Sequence, residues 1–563
     1  MTMTTAKGDL TKLTPSKELN DDQRKAIFLH FMRRLAAFRN SVERYAQTEA
    51  DLVSSYDAEA AAKMLAGFTK VIQHWSQDLL QHAWNVCQEP GGGRCPKLTP
   101  LSDTSTADLP PLPQSDNVAR VLRTILFLHV TTTKGYSAHT RAFLHSFGDV
   151  DEEIVAETLK NPDDAVAEAE RKTQEAKEEQ AASSRTLRRV GMGLGAVAGG
   201  VLIGVTGGLA APLVGAGVST VLGWLGVGGT AAGLLASGLA SSSIVCGALF
   251  GVYGSKKSAE LVERYTREVR DLSILPVNPP KDTLAVRLCV SGWLESEGDV
   301  TAPWTIFGED DTFALKWDVD ALISLSNALL ALVKSQAMKY VKAEVIKRTV
   351  FASLFAALSP TAWLKIGQII DNPWMHARSL ATKAGKVLGI LLAQQVLGNR
   401  PVTLVGYSLG STVIFEALQY LASLPPEQTA HLIQDVYLFG SPVPIDEHAW
   451  AAARRVTGGR LVNGYGKNDY VLAVLSRVSD ASWSIAGLGP VEVQGVENIQ
   501  CDDVDGHLKW RGMIGKSLDT CHAPGLVTSE VNLQVETKAK KIAQVMDISS
   551  DDISSVIEDG PGA

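Results

Sequence analysis

Gly406-Tyr407-Ser408-Leu409-Gly410 fits the pattern G-x-S-x-G, which places a serine where it could act as a nucleophile. In a chain with 49 glycines the pattern alone is weak. Its flanks make it specific. Val402-Thr403-Leu404-Val405 reads as a short buried strand, and Thr412 onward reads as an apolar helix that stops before Pro425-Pro426. A serine on a sharp strand-to-helix turn, with Gly406 and Gly410 two residues to each side, is a nucleophile elbow. The glycines let strand and helix approach closely, and the turn lifts the serine oxygen clear of the sheet. The plain alternative is a Gly/Ser-rich turn without chemistry.

A serine hydroxyl is a poor nucleophile at neutral pH. It needs an imidazole to take its proton and a carboxylate to orient that imidazole. In α/β-hydrolases the chain order is serine, acid, histidine. Four histidines follow Ser408: His431, His448, His507 and His522. His431 and His448 precede the best acid. His507, in Val504-Asp505-Gly506-His507, falls where such a fold carries its base, with His522 the weaker choice. Asp469, in Gly466-Lys467-Asn468-Asp469, lies beyond a strand at 460–465, and parallel sheets carry their sites beyond the carboxyl ends of their strands. Asp446, Asp480 and Asp502 are alternatives, and Asp469 could instead bond its own backbone as turn aspartates often do. The oxyanion-stabilising N–H groups would be those of Leu409, directly after the serine, and Trp293, in the loop after an earlier strand. Such chemistry asks for no metal or cofactor, and the six cysteines lack metal-ligand spacing.

These side chains require strands alternating with helices. Strand patterns occur at 284–290, 312–317, 402–405, 435–439 and 459–465, with helical stretches at 321–347, 349–368 and 374–397 between them. The expected class is therefore α/β, with a mostly parallel sheet of α/β-hydrolase type over 259–535. An α-helical domain at 21–185 precedes it, interrupted by a Gly/Pro/Ser-rich linker at 88–116. Residues 151–185 are rich in Ala, Glu, Lys and Arg and read as a solvated helix or short coiled coil. Residues 1–20 and the acidic tail 536–563 are expected to be disordered. The N-terminal stretch has no apolar core, so a secretory signal is not expected.

Val190–Ser255 is a second outlier: 66 residues without one charged side chain or histidine, 19 of them glycine. A span needs about 20 apolar residues, so membrane association of the segment 186–258 is expected. Pro212 and Gly226-Val227-Gly228-Gly229 are the expected breaks. Arg185, Arg188 and Arg189 precede the run, and Lys256 and Lys257 follow it. Positive flanks on both sides imply an even number of crossings or a re-entrant hairpin, with the catalytic domain facing the cytosol. The alternative is a Gly-rich hairpin buried in protein. A net charge of −8 without a basic stripe argues against nucleic acid as a partner.

The stretch IDNPW at 370–374, NRPVTLVGYSLGSTVIFEALQYLA, DVYLFGSPVP, GRLVNGYGKNDYVLAVLSR and VDGHLKW together resemble the transmembrane and coiled-coil domain-containing protein 4 family, also called domain of unknown function 726. The resemblance covers about 260–515. It implies an α/β-hydrolase domain attached to a membrane segment, with Ser408, Asp469 and His507 at the matching positions. The family usually has tryptophan where this chain has Tyr470, a departure that leaves those three residues intact.

Composition, motif and resemblance together predict a membrane-associated serine hydrolase of carboxylic esters, lipids above all. The competing expectation is a trafficking or scaffold protein that reuses the fold, recruiting protein partners through its N-terminal helices and acidic tail.

Overall fold

The computed structural model describes residues 8–188, 215–251, 269–335, 360–480, 484–504 and 506–539. The described chain forms two compact units. One comprises Met1–Ala37, Trp75–Gly135 and Leu144–Leu249; the other comprises Phe38–His74, Tyr136–Phe143 and Phe250–Ala563.

The first unit is helical among its described residues. Helix Ser115–Thr133 is buried almost all round, from Val118 to Thr131, because neighbouring helices cover each of its faces. The expectation of disorder over 1–20 is corrected from residue 8 onward. Asp9 caps a short helix, Leu10–Leu13, whose two leucines are fully buried, and Thr124 donates a hydrogen bond to the Leu13 carbonyl. The linker at 88–116 has no helix before Ser115, yet it is tied down. His30 bonds the Pro110 carbonyl, and Gln77 spans the Pro96 carbonyl and the Leu98 N–H. The charged stretch at 151–185 is two helices, Glu152–Lys160 and Pro162–Arg188.

The described part of the uncharged run is three short helices: Gly215–Trp224, Gly229–Ala240 and Ser242–Phe250. The first break falls at the glycines around 226–229. A second, at Ser241, has no Gly or Pro to announce it. Among the described residues no single helix is long and apolar enough to cross a membrane. The last two helices, bent by 63° at Ser241, meet the length and composition requirement only as a pair. Leu235, Leu239, Val245 and Leu249 are buried in protein, whereas Ile244 is exposed. Residues 189–214, Pro212 among them, residues 252–268 and the tail from 540 lie outside the described residues.

The second unit is built on a seven-stranded, mostly parallel sheet: β1 Ser273–Pro276, β2 Val286–Val290, β3 Asp311–Lys316, β4 Val402–Tyr407, β5 Ile433–Phe439, β6 Leu461–Tyr465 and β7 Val496–Gln500. The spatial order is β1-β3-β2-β4-β5-β6-β7, with β1 antiparallel to β3 and every other pair parallel. Strands β2, β4, β5 and β6 are buried along their whole length, which is why they read as continuous apolar runs. The two edge strands were not legible in the sequence. β1 is only four residues long, and β7 (VENIQ) is polar and half exposed.

Of the helices expected at 349–368 and 374–397, residues 349–359 lie outside the described residues; from Pro360 the two are corrected to one helix, Pro360–Ala393, which runs through Pro373. A mid-helix proline costs about 3 kcal/mol. Burial of Ile370, Trp374, Ala377, Ala381, Ala384 and Leu388 on one apolar stripe offsets that cost. The helix read over 321–347 is described as Val319–Lys334; the remainder lies outside the described residues.

Chain order and spatial order part company at one place. From β2 the chain moves outward to β3, then crosses back to place β4 on the other side of β2. Parallel sheets open a crevice at the carboxyl ends of their strands at such a switch point. Both the loop after β2 and the turn after β4 end there.

Candidate active site

Ser408 directly follows β4 and directly precedes helix Leu409–Ser423. Its backbone, at φ 54° and ψ −130°, lies in a region that side chains rarely adopt and that costs of order 1–3 kcal/mol. The strain is held from three sides. The Ser408 N–H donates to the Phe439 carbonyl at 2.9 Å, tying the turn to the end of β5. A Cβ on Gly406 would meet the Gly410 backbone at 2.9 Å, and one on Gly410 would meet the Val290 carbonyl oxygen at 2.1 Å. Strand, turn and β2 thus approach closely enough that glycine is required at both positions.

Ser408 Oγ lies 2.6 Å from His507 Nε2, and His507 Nδ1 lies 2.8 Å from Asp469 Oδ2. All three residues are fully buried. Asp469 ends the loop after β6 and begins helix Tyr470–Asp480; its Oδ1 accepts the Leu472 N–H at 3.0 Å, a helix N-cap. Its two oxygens therefore divide the two roles open to it in the sequence: Oδ1 bonds local backbone while Oδ2 faces the imidazole. His507 opens a short 3-10 turn, His507–Lys509, that runs into helix Trp510–Thr520.

The other candidates are engaged elsewhere. His431 Nδ1 lies 3.1 Å from His139 Nδ1, and burial pushes its pKa down to about 4. His448 packs edge-on against Tyr56, and His522 follows helix Trp510–Thr520 with its N–H on the Asp519 carbonyl. Asp446 caps helix Glu447–Arg455 and Asp502 takes Gln500, while the Asp480 side chain lies outside the described part of the structure.

Leu409 is the first residue of its helix, so its N–H has no intrahelical acceptor. The loop after β2 comes directly against it: a Cβ on Gly292 would stand 2.6 Å from Leu409 N and 2.2 Å from the Tyr407 carbonyl oxygen. Trp293 follows, its carbonyl accepting the Tyr407 hydroxyl at 3.3 Å and its indole buried. Burial keeps the Tyr407 phenol protonated by raising its pKa. Gly292 was not singled out in the sequence as a contact; only this close approach reveals it.

Trp510 was also missed. Its Nε1–H donates to Asp469 Oδ2 at 2.9 Å, the same oxygen that faces His507. The signal was present in Val-Asp-Gly-His-Leu-Lys-Trp, three residues past the histidine, but an aromatic there reads as core. Gly440, at φ 52°, makes room for that indole; a Cβ would stand 2.2 Å from Nε1. Among the described residues no cluster of His, Cys, Asp or Glu is arranged to hold a metal ion.

Residues 184–522 match the family described as protein of unknown function DUF726. The chain belongs to the DUF726 family. The matched range takes in the described part of the uncharged run, the whole sheet and every residue of the serine–histidine–aspartate line. An uncharacterized membrane protein of Schizosaccharomyces pombe is 38% identical over 341 residues, covering 59% of this chain and 58% of that protein. The transmembrane and coiled-coil domain-containing protein STS1 of Oryza sativa subsp. japonica is 34% identical, covering 56% and 49%. The probable lipase MIL1 of Saccharomyces cerevisiae is 35% identical over 300 residues, covering 52% of this chain and 26% of that protein. The chain thus spans between a quarter and three fifths of these relatives. No solved structure matches it.

Proposed function

We propose that this protein is a membrane-associated serine hydrolase that cleaves carboxylic esters, with lipids as the substrate class. The observation that carries the reading is the hydrogen-bonded line from Ser408 through His507 to Asp469, on a strained turn at the switch point of a parallel sheet. The strand order and the strand–serine–helix turn support an α/β-hydrolase fold.

In this mechanism Ser408 Oγ attacks the ester carbonyl carbon while His507 Nε2 takes the hydroxyl proton. Asp469 holds the imidazole and balances the positive charge it acquires. The tetrahedral oxyanion is met by the Leu409 N–H and by a second N–H from the loop after β2, assigned to Trp293. Collapse breaks the ester C–O bond, and the imidazolium gives its proton to the leaving alcohol. Water, deprotonated by His507, then attacks the acyl-serine and releases the carboxylic acid and the free serine.

The lipid assignment draws on the uncharged run, on its bent helix pair and on relatives named as membrane proteins and a probable lipase. Basic residues on both flanks of the run support a hydrolase domain on the cytosolic side. A second reading, a scaffold that reuses the fold, has one observation in its favour: Ser408 is fully enclosed. Fatty-acid release from phospholipid vesicles, a triacylglycerol emulsion and a water-soluble short-chain ester separates the two. The hydrolase reading expects release that exceeds the Ser408→Ala background and is greatest on an aggregated lipid. Release no greater than that background on all three substrates favours the scaffold.

A further inference from the structure

The two elements that would supply the base and the second oxyanion donor come from distant parts of the chain, and one side chain joins them. Arg511 lies four residues after His507, at the start of helix Trp510–Thr520. Its guanidinium is buried and reaches into the loop after β2. Nη1 donates to Asp299 Oδ2 at 2.6 Å, Nη2 lies 2.8 Å from Glu295 Oε2, and the guanidinium carbon stands 4.8 Å from the centre of the Trp293 ring. The loop itself is organised around the same carboxylate. Asp299 Oδ2 also accepts the N–H groups of Glu295 at 2.9 Å and Ser296 at 3.1 Å, and the Asp299 carbonyl accepts the Ser291 hydroxyl. Arg511 thus touches three residues of one loop, Trp293, Glu295 and Asp299.

We propose that Arg511 is a positioning residue that latches the loop carrying Gly292 and Trp293 to the segment carrying His507, fixing the oxyanion donors relative to the base. The inference rests on the ester-hydrolase reading. A planar guanidinium can hold two carboxylates and stack on an indole at once, which an ammonium cannot. The latch therefore requires arginine rather than positive charge alone. Loosening it lets the loop amides drift from the place where the oxyanion forms, and a displacement near 1 Å costs up to about a hundredfold in rate.

The test compares wild type, Arg511→Lys and Glu295→Gln in the full chain. Each is labelled with a fluorophosphonate, the labelled fraction is counted by intact mass, and the rate constant per reactive site is compared with a thermal melt. A latch predicts a per-site rate about 10- to 100-fold lower in Arg511→Lys. It predicts a drop of about two- to fivefold in Glu295→Gln, whose contact is partly exposed. A role confined to stability would lower the melting temperature and the labelled fraction but leave the per-site rate at the wild-type value, and that result overturns the latch. If Arg511→Lys fails to fold, Glu295→Gln decides on the same criterion. Failure of the folded wild type to label overturns the hydrolase reading and the latch with it.

Discussion

Asp469 Oδ2 faces two N–H groups, His507 Nδ1 and Trp510 Nε1, while Oδ1 is held by the Leu472 backbone. With three donors on two oxygens the carboxylate has one orientation, and the imidazole it faces inherits it. Hydrogen bonds to charged groups contribute about 1.5–3 kcal/mol. Trp510→Phe keeps an aromatic ring but removes the donor and part of the buried indole volume, so urea unfolding should show a loss of at least about that size. Ester turnover should fall about tenfold with KM little changed, because the orientation of the base suffers rather than substrate binding. Ser408 offers a second check. At φ 54° it is strained, and glycine relieves that strain at an entropic cost of about 0.5–1 kcal/mol. Ser408→Gly should be about 1 kcal/mol more stable than Ser408→Ala by denaturant titration, with both inactive. The serine, aspartate and histidine were legible in the sequence because chain order and strand placement constrain them. Trp510 and Arg511 were not, because no motif or chain order marks a tryptophan or an arginine for such a contact, and only the fold brings them to Asp469 and Asp299.

At the scale of elements, β2, the turn after β4 and the start of helix Leu409–Ser423 meet with no room for a side chain. Gly410→Ala would set a methyl against the backbone oxygen of Val290, which cannot swing aside as a flexible side chain could. Overpacking of this kind costs about 1–3 kcal/mol. A lowered thermal midpoint is expected, and ester hydrolysis should be lost as the Leu409 amide is pushed away from Gly292. The buried strands were readable because both of their faces are covered and their runs are uninterrupted. The edge strands were not, since β7 carries Glu497, Asn498 and Gln500 and is recognisable only by its pairing with β6. The helix through Pro373 departs from the sequence expectation for the opposite reason. A local rule about proline yields to tertiary burial of one continuous stripe, and that burial is invisible before the packing is known.

At the scale of the molecule, buried imidazoles tie stability to pH. Burial pushes His431 down to about 4, and burial, then His431 and Arg454, hold His139 well below its ordinary 6.5. The bond between their Nδ1 atoms needs a proton on one of the two only. Both groups bind fewer protons folded than unfolded between about pH 4 and 6.5. Their stabilisation is therefore complete above about pH 6.5 and is lost as pH falls toward 4. The urea midpoint should decline across that window, and His431→Gln should flatten the decline. The two compact units are a helical one, among its described residues, and one built on the sheet, and neither is a continuous stretch of chain. The excursion of residues 38–74 and 136–143 into the sheet unit has no sequence signature, because nothing local distinguishes a helix that packs on one core from a helix that packs on another.

Under the hydrolase reading Ser408 is a working nucleophile. Incubation of the folded, detergent-solubilised protein with a fluorophosphonate, followed by intact mass and peptide mapping, tests it most directly. One adduct per chain is expected, on Ser408, abolished in Ser408→Ala and strongly reduced in His507→Ala. An unlabelled wild-type protein, or an adduct that persists in Ser408→Ala, would contradict it.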